Sequence, residues 1–253
     1  MKLNKIADCI VVIPIYKTQL SSYETISLKQ GMRILNNYCI KFIAPTTLDT
    51  SWYEKYDIDI KRFPDHFFAG ISGYNKLMLS KLFYESFLQY DYLLVYQLDG
   101  FVFEDNLEYF ISLNYDYIGA PWLDGLYVFK YNFRGKYKLK KIFPWFNKVD
   151  KVFVGNGGVS LRRIDAFLYM LDHCKEINTW NSNEDVFFSL LGIRYPELFR
   201  VAPLEEALKF SFETTVTDCF KKNDCQIPMF CHAWEKWDID FWRPYFKQFG
   251  HDI

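Results

Sequence analysis

The stretch YDYLLVYQLDGFVF, residues 90–103, decides how the rest of the chain is read. Its first eight residues, YDYLLVYQ, form an almost unbroken apolar and aromatic run. That is the pattern of a strand buried on both faces, as in parallel sheets. One carboxylate, Asp99, follows at once. A core strand has no use for a bare charge. In open α/β sheets, however, ligands bind beyond the carboxyl ends of the strands, and Asp99 lies there.

Upstream, CIVVIPIY (9–16) and CIKFIAP (39–45) read as buried strands. Between them, SSYETISLKQGMRILNNY predicts a helix capped at Ser21 or Ser22. Glu24 falls three residues after Ser21, as in a capping box. DIDIKRF (57–63) alternates and predicts a strand exposed on one face. SGYNKLMLSKLFYESFLQY (72–90) predicts one amphipathic helix. Downstream, YDYIGAP (115–121) reads as a strand ending in turn residues, and VFVGNGGVSLRR (152–163) as strand, glycine turn, strand. A helix follows through Ile164 to His173, and NEDVFFSLLG (183–192) opens another. PMFCHAWEKW (228–237) reads as a late strand or loop, and DFWRPYFKQF as a short tail element. Alternating strands and helices predict an α/β fold: a mostly parallel central sheet with helices on both faces.

Composition limits the function. The chain has 253 residues, half of them hydrophobic and 20% aromatic, with a net charge of -1. A disordered chain and a globally basic nucleic-acid binder are both excluded. None of the six cysteines forms a C-x-x-C pair, and Cys225, Cys231 and His232 fit no common zinc spacing. Reduced thiols and a cytoplasmic location are expected. The N-terminal apolar run CIVVIPI is far short of the ~20 residues that span a bilayer, and no signal-peptide cleavage pattern is present. One region departs from the average composition. Between Lys130 and Lys151 there are eight basic residues, one acid (Asp150) and six interleaved aromatics. This reads as a basic aromatic insertion over about 124–151: either a solvated surface segment, or a surface for an anionic partner such as a membrane, a lipid pyrophosphate or RNA.

Four features carry chemistry. Gln97-Leu98-Asp99 puts a carboxylate on a rigid element, suited to a hard cation or to capping a turn. Gly155-Asn156-Gly157-Gly158 allows either a tight turn or close approach of a ligand to the backbone. Arg162 and Arg163 follow as donors suited to phosphate or sugar hydroxyls, one of them pointing away. Glu184 and Asp185 sit in the first turn of a helix, where the dipole stabilises them and where they suit general-base work on a hydroxyl. His232, in Cys231-His232-Ala233-Trp234, offers a neutral imidazole as a metal ligand.

In this order along the chain, the set resembles GT-A-type glycosyltransferases. More narrowly, the segments YQLD, YDYIGAPW, GNGGVSLRR and HAWEK resemble those of an uncharacterised bacterial family of glycosyltransferase-like proteins, over about residues 10–237. The resemblance implies a single GT-A-like domain over 1–253, a Rossmann-type sandwich. It implies an inverting, hexosyltransferase-like enzyme that moves sugar from a nucleotide-diphosphate sugar, UDP-linked by expectation, to a glycan or lipid-linked acceptor in surface polysaccharide synthesis. Asp185 would be the catalytic base and Glu184 would orient the acceptor or contact the glycine loop. Asp99 and His232 would hold Mn²⁺ or Mg²⁺, with Gln97 standing where the family has its first Asp. Pro14, Tyr16, Asn75, Lys76, Gln97, Asp99, Gly157 and Gly158 would bind the donor. Trp122 and Trp234 would wall the sugar, and Ser211 and Glu213 match a family segment without an assigned role. The basic stretch 130–151 would face the inner membrane surface. Three rival readings are a non-catalytic nucleotide-sugar or glycan-binding module, an RNA binder and a nucleotidyltransferase. The near-neutral charge disfavours the second, so no nucleic acid is expected. The absence of glycine after the first strand disfavours the third.

Overall fold

The computed structural model describes residues 8–129 and 149–253. Six strands form the central sheet: β1 (Cys9–Pro14), β2 (Cys39–Pro45), β3 (Ile60–Phe63), β4 (Tyr92–Tyr96), β6 (Tyr117–Phe129) and β7 (Val149–Arg163). Their spatial order is β3-β2-β1-β4-β7-β6. The pairs β3–β2, β2–β1 and β1–β4 are parallel, and β7 runs antiparallel between β4 and β6. A second sheet of three short strands joins β5 (Phe101–Val102), β9 (Phe230–Cys231) and β8 (Ser211–Phe212) in that order.

Strand geometry divides the core in two. Successive side chains face opposite sides. Val11, Ile13, Leu94 and Tyr96 therefore pack with Leu28 and Leu35 around helix α1 (Ser22–Ile34), and with Leu107 and Phe110 of α4 (Leu107–Ser112). Ile10, Val12, Leu93 and Val95 pack on the other side. Their partners come from α2 (Gly70–Met78), α3 (Lys81–Glu85), α5 (Ile164–His173) and α6 (Glu184–Arg194). The mostly parallel sheet with helices on both faces is as expected. So is the start of α1. Glu24 N–H donates to Ser21 Oγ at 3.2 Å, and Ser21 N–H to Glu24 Oε2 at 2.8 Å.

A third cluster surrounds the small sheet. Helices α7 (Leu204–Phe210), α8 (Val216–Lys222) and α9 (Ile239–Gln248) contribute to it, and Trp242 and Phe246 of α9 pack on Phe101, Phe103 and Trp234. No helix among the described residues is long and apolar enough to cross a membrane.

Three expectations need correction. The helix expected over 72–90 is broken after Met78. Ser80 adopts an extended backbone and its hydroxyl takes the carbonyl of Leu77 at 2.8 Å, which ends α2 before α3 begins. The strand expected to end near Pro121 continues to Phe129. Residues 152–163 contain no turn: they lie within one strand, β7. On β6, Gly119 pairs with Ser160 but the next residue, Ala120, pairs with Asn156. Residues 157–159 thus bulge out of that ladder, while Val159 still pairs with Tyr96 of β4. Bulges of this kind re-aim a strand next to a site. Of the basic stretch, 124–129 and 149–151 belong to β6 and β7, and 130–148 lie outside the described residues.

Candidate functional site

At the carboxyl end of β4 the chain turns sharply: Gly100 N–H donates to Gln97 O at 2.9 Å, with Asp99 at the corner. Gln97 N–H donates to Gly158 O at 3.0 Å, which fixes this corner against the bulge of β7. From the small sheet, His232 N–H bonds Phe212 O and Trp234 N–H reaches Asp99 O at 3.4 Å. The result places His232 Nε2 3.1 Å from Asp99 Oδ1, and His232 Nδ1 3.5 Å from Glu213 Oε1. Glu213 follows β8 directly, so the pairing of β8 with β9 brings it there. Sequence reasoning left it without a role, and only the topology reveals one.

Electrostatics follow from this string. Burial opposes the charge on His232, but Asp99 and Glu213 outweigh it and push its pKa up to about 10. Burial likewise opposes ionisation of Asp99, but His232 keeps its carboxyl below the usual range. The contacts are off the hydrogen-bonding axis. Asp99 Oδ1 and both ring nitrogens are buried with no hydrogen-bond partner among the described residues. Orphaned buried polar atoms are costly and call for a missing partner.

On the other side of the glycines lies a second acidic group. Asn75 of α2 caps the helix that carries it: Glu184 N–H donates to Asn75 Oδ1 at 3.4 Å, while the side chain of Asn183 makes no cap of its own. Glu184 Oε1 pairs with Arg162 Nη2 at 2.9 Å, with both side chains buried. Asp185 accepts from Val186 N–H at 2.6 Å and faces the backbone N–H of Gly157. Burial first, and the neighbouring Glu184 second, push the Asp185 pKa up to about 7. A carboxyl poised near neutrality suits proton abstraction.

The glycines explain themselves by close approach. A Cβ at Gly157 would meet Glu184, Arg162 and Asp185, and one at Gly158 would collide with the His232 ring. A Cβ at Gly155, whose φ is +140°, would strike Ser189 of α6. The Gly157-Gly158 peptide thus sits between the Asp185–Glu184 group and the Asp99–His232 pair.

Other expected residues are placed less favourably. Pro14 is buried in β1 opposite Ile43. Tyr16 is 59% exposed on the rim, where partial burial and the carboxylates of Glu24, Asp99 and Glu235 raise its phenol above Lys17's opposing pull. Gln97 lies beside the half-buried Tyr74. Lys76 is exposed on α2. Neither arginine is free for phosphate. Arg162 is fully buried, bonding Ser160, Tyr84, Gly157 O and Glu184, and Arg163 turns away to Asp116, Asp165 and Asn114. Trp234 is fully buried against Tyr23 and Phe246. Trp122 packs half-buried on Val128, Val152 and Leu190.

A cation would have Asp99 and His232 to bind. Among the described residues no group of three or more His, Cys, Asp and Glu side chains is arranged to hold a metal. Asp99 Oδ1 and, once the ring has lost its proton, His232 Nε2 nevertheless fit one edge of a Mn²⁺ or Mg²⁺ shell, whose other ligands would be diphosphate and water.

Comparison with known proteins agrees with this architecture. Residues 57–232 match the family described as "Protein of unknown function (DUF5672)". The chain belongs to that family. No curated protein matches it in sequence. Among solved structures it is similar to mouse xyloside xylosyltransferase 1 in its apo form (12% identity, TM-score 0.54, covering 89% of this chain and 97% of that one). It is also similar to the galactosyltransferase LgtC in complex with donor and acceptor sugar analogs (13%, TM-score 0.55, 95% of each chain). A third is the glycosyltransferase GlyE of Streptococcus pneumoniae TIGR4 (14%, TM-score 0.51, 94% and 60%). At such identities the likeness establishes the GT-A glycosyltransferase fold.

Proposed function

We propose that this protein is a glycosyltransferase acting on a nucleotide-diphosphate sugar, and that residues 1–253 work as one GT-A-like domain. One observation carries the reading. Two acidic groups stand on either side of the side-chain-free Gly157-Gly158 peptide, at the carboxyl end of β4 in a GT-A fold. The donor sugar would lie over the glycines, with the nucleotide toward Tyr16 and the diphosphate toward Asp99 and His232. UDP is the nucleotide we expect. Asp99 and His232 would hold Mn²⁺ or Mg²⁺, which when bound neutralises charge on the leaving diphosphate.

Asp185 takes the proton of the acceptor hydroxyl, and its raised proton affinity suits it to do so at neutral pH. Glu184, clamped by Arg162, positions the helix end on which Asp185 sits. The acceptor oxygen then attacks the anomeric carbon from the face opposite the diphosphate, giving inverted configuration. The acceptor would be a glycan or a lipid-linked precursor of a surface polysaccharide, reached from the cytoplasmic face of the membrane.

The first test is a thermal-shift screen of nucleotide diphosphates and nucleotide sugars, each with Mn²⁺, Mg²⁺ or EDTA. A ligand that binds the folded state at a hundredfold excess over its Kd adds ~2.7 kcal/mol of stability. A metal-dependent shift with one donor, abolished by Asp99→Ala, supports the reading. No shift with any donor in folded protein, or one indifferent to Asp99→Ala, overturns it. For the donor found, the anomeric configuration of the product by NMR decides inversion.

A further inference from the structure

The segment KFSFE (209–213) ends in a carboxylate that the proposed reaction leaves unused. Ser211 and Phe212 form β8, which pairs in parallel with Phe230 and Cys231 of β9. Phe212 and Cys231 both face the apolar cluster closed by α9. Side chains alternate along a strand, so the next residue of each chain turns the other way. Those residues are Glu213 and His232, and they meet beside Asp99. His232 N–H donates to Phe212 O at 2.9 Å, which holds the two chains in register at this step.

The Glu213 side chain is only 14% exposed, and among the described residues no lysine or arginine pairs with it. Glutamates are almost never buried without a partner. Here the partner is the His232 ring, whose Nδ1 lies 3.5 Å from Glu213 Oε1. The other nitrogen, Nε2, faces Asp99 Oδ1 at 3.1 Å. The two nitrogens point apart in the ring plane, so a carboxylate at Nδ1 does not share an ion with one at Nε2. A metal-bound imidazole gives the lone pair of one nitrogen and keeps its proton on the other. A carboxylate that accepts this proton fixes the tautomer and the orientation of the ring. Such hydrogen bonds are often long and poorly aligned until the ligand is in place. On its other side the ring is closed in by the backbone of Gly158, where a Cβ would collide with it.

We propose that Glu213 is a positioning residue: by accepting the Nδ1–H of His232 it presents Nε2, beside Asp99, to Mn²⁺ or Mg²⁺. The inference rests on the transferase reading and adds to it a residue that touches neither donor nor metal.

Mn²⁺ binding tests this without any turnover. Water-proton relaxation enhancement reads Mn²⁺ bound to the full chain, alone and with UDP or GDP. Asp99→Ala should abolish binding. Glu213→Ala should weaken it about 10–100-fold, the usual cost of losing the carboxylate behind a ligating histidine. Glu213→Gln keeps an acceptor oxygen and should recover most of that loss. Electron spin-echo modulation of the bound Mn²⁺ should show one coupled ¹⁴N in the wild type and in Glu213→Gln, and a weaker coupling in Glu213→Ala. Melting in EDTA reports the fold separately. A lowered Tm in Glu213→Ala with unchanged Mn²⁺ affinity would make the residue structural and overturn the proposal while leaving the donor site standing. Glu213→Gln as weak as Glu213→Ala would overturn it too, because the carboxylate charge and not an acceptor oxygen would then be needed. A wild type that binds no Mn²⁺ under any of these conditions removes the metal and this role of Glu213 together.

Discussion

Asp185 shows how far one residue's surroundings set its chemistry. Its folded pKa lies above the unfolded value of 3.8, so the fold prefers the protonated acid. The stability this contributes is complete below the unfolded value and is lost as pH rises through about 7. Asp185→Asn mimics the protonated form at every pH. It should raise Tm at pH 8 by several degrees, reflecting at most ~4 kcal/mol, and should leave Tm nearly unchanged in acid. The same change should lower transfer by 10²–10⁴-fold. In the wild type, transfer should rise with pH along an acid limb centred near 7. Scanning calorimetry at two pH values with a pH–rate profile checks all three, and a Tm unaffected at pH 8 would show Asp185 to be ionised without strain. Gly158 makes a complementary case. A methyl there would collide with the His232 ring, a rigid group packed in place. Gly158→Ala should therefore abolish the metal- and nucleotide-dependent thermal shift, although φ at this position requires no glycine. A variant that binds as well as wild type would show that the ring has room to move.

At the scale of elements, Arg162 is the strut. From β7 it reaches Tyr84 Oη on α3 at 3.0 Å and Glu184 on α6 at 2.9 Å, and it is wholly buried. Removing one partner of a buried ion pair leaves the other charge uncompensated, which costs about 3–5 kcal/mol. Arg162→Met should be destabilised by that order in urea unfolding. Adding Glu184→Gln should restore more than half of it. Failure of the second change to rescue would put the cost in lost packing. The elements themselves were largely legible in the sequence. Near-continuous apolar runs marked β1, β2 and β4, the alternating run 57–63 marked β3, and Ser21 with Glu24 marked the start of α1. GNGG was misread as a turn because glycine signals both tight turns and close approach. What distinguishes them is Ser189, Glu184 and His232, which reach β7 from distant parts of the chain. The same long-range reach hid the partnership of Glu213 with His232, and hid that both members of the Arg162-Arg163 pair are consumed by structural contacts.

At the scale of the whole molecule, the site depends on a part far from it in sequence. His232 is held by β8 and β9, and that small sheet has its own apolar cluster, closed by α9. Trp242 and Phe246 of α9 are fully buried. The Phe246 ring lies 3.9 Å from that of Phe101 and 4.7 Å from that of Trp234, and Trp242 stacks on Phe103 at 5.4 Å. Phe101 opens β5, the strand that follows Asp99, Phe103 comes directly after it, and Trp234 follows His232 by two residues. Both members of the pair are thus anchored by the same aromatic cluster. Loss of a buried Phe or Trp costs ~3–5 kcal/mol each, and two such losses rival the 5–15 kcal/mol by which a domain is stable. A chain ending at Asp238 should therefore lose the Asp99–His232 geometry even where the six-stranded sheet survives. Circular dichroism would retain much of the helical and strand signal, Trp234 fluorescence would shift red as its ring becomes hydrated, and the nucleotide-dependent thermal shift would disappear. A truncated chain that still bound donor in an Asp99-dependent way would show that β8 and β9 hold His232 without α9, and that the aromatic cluster serves stability alone.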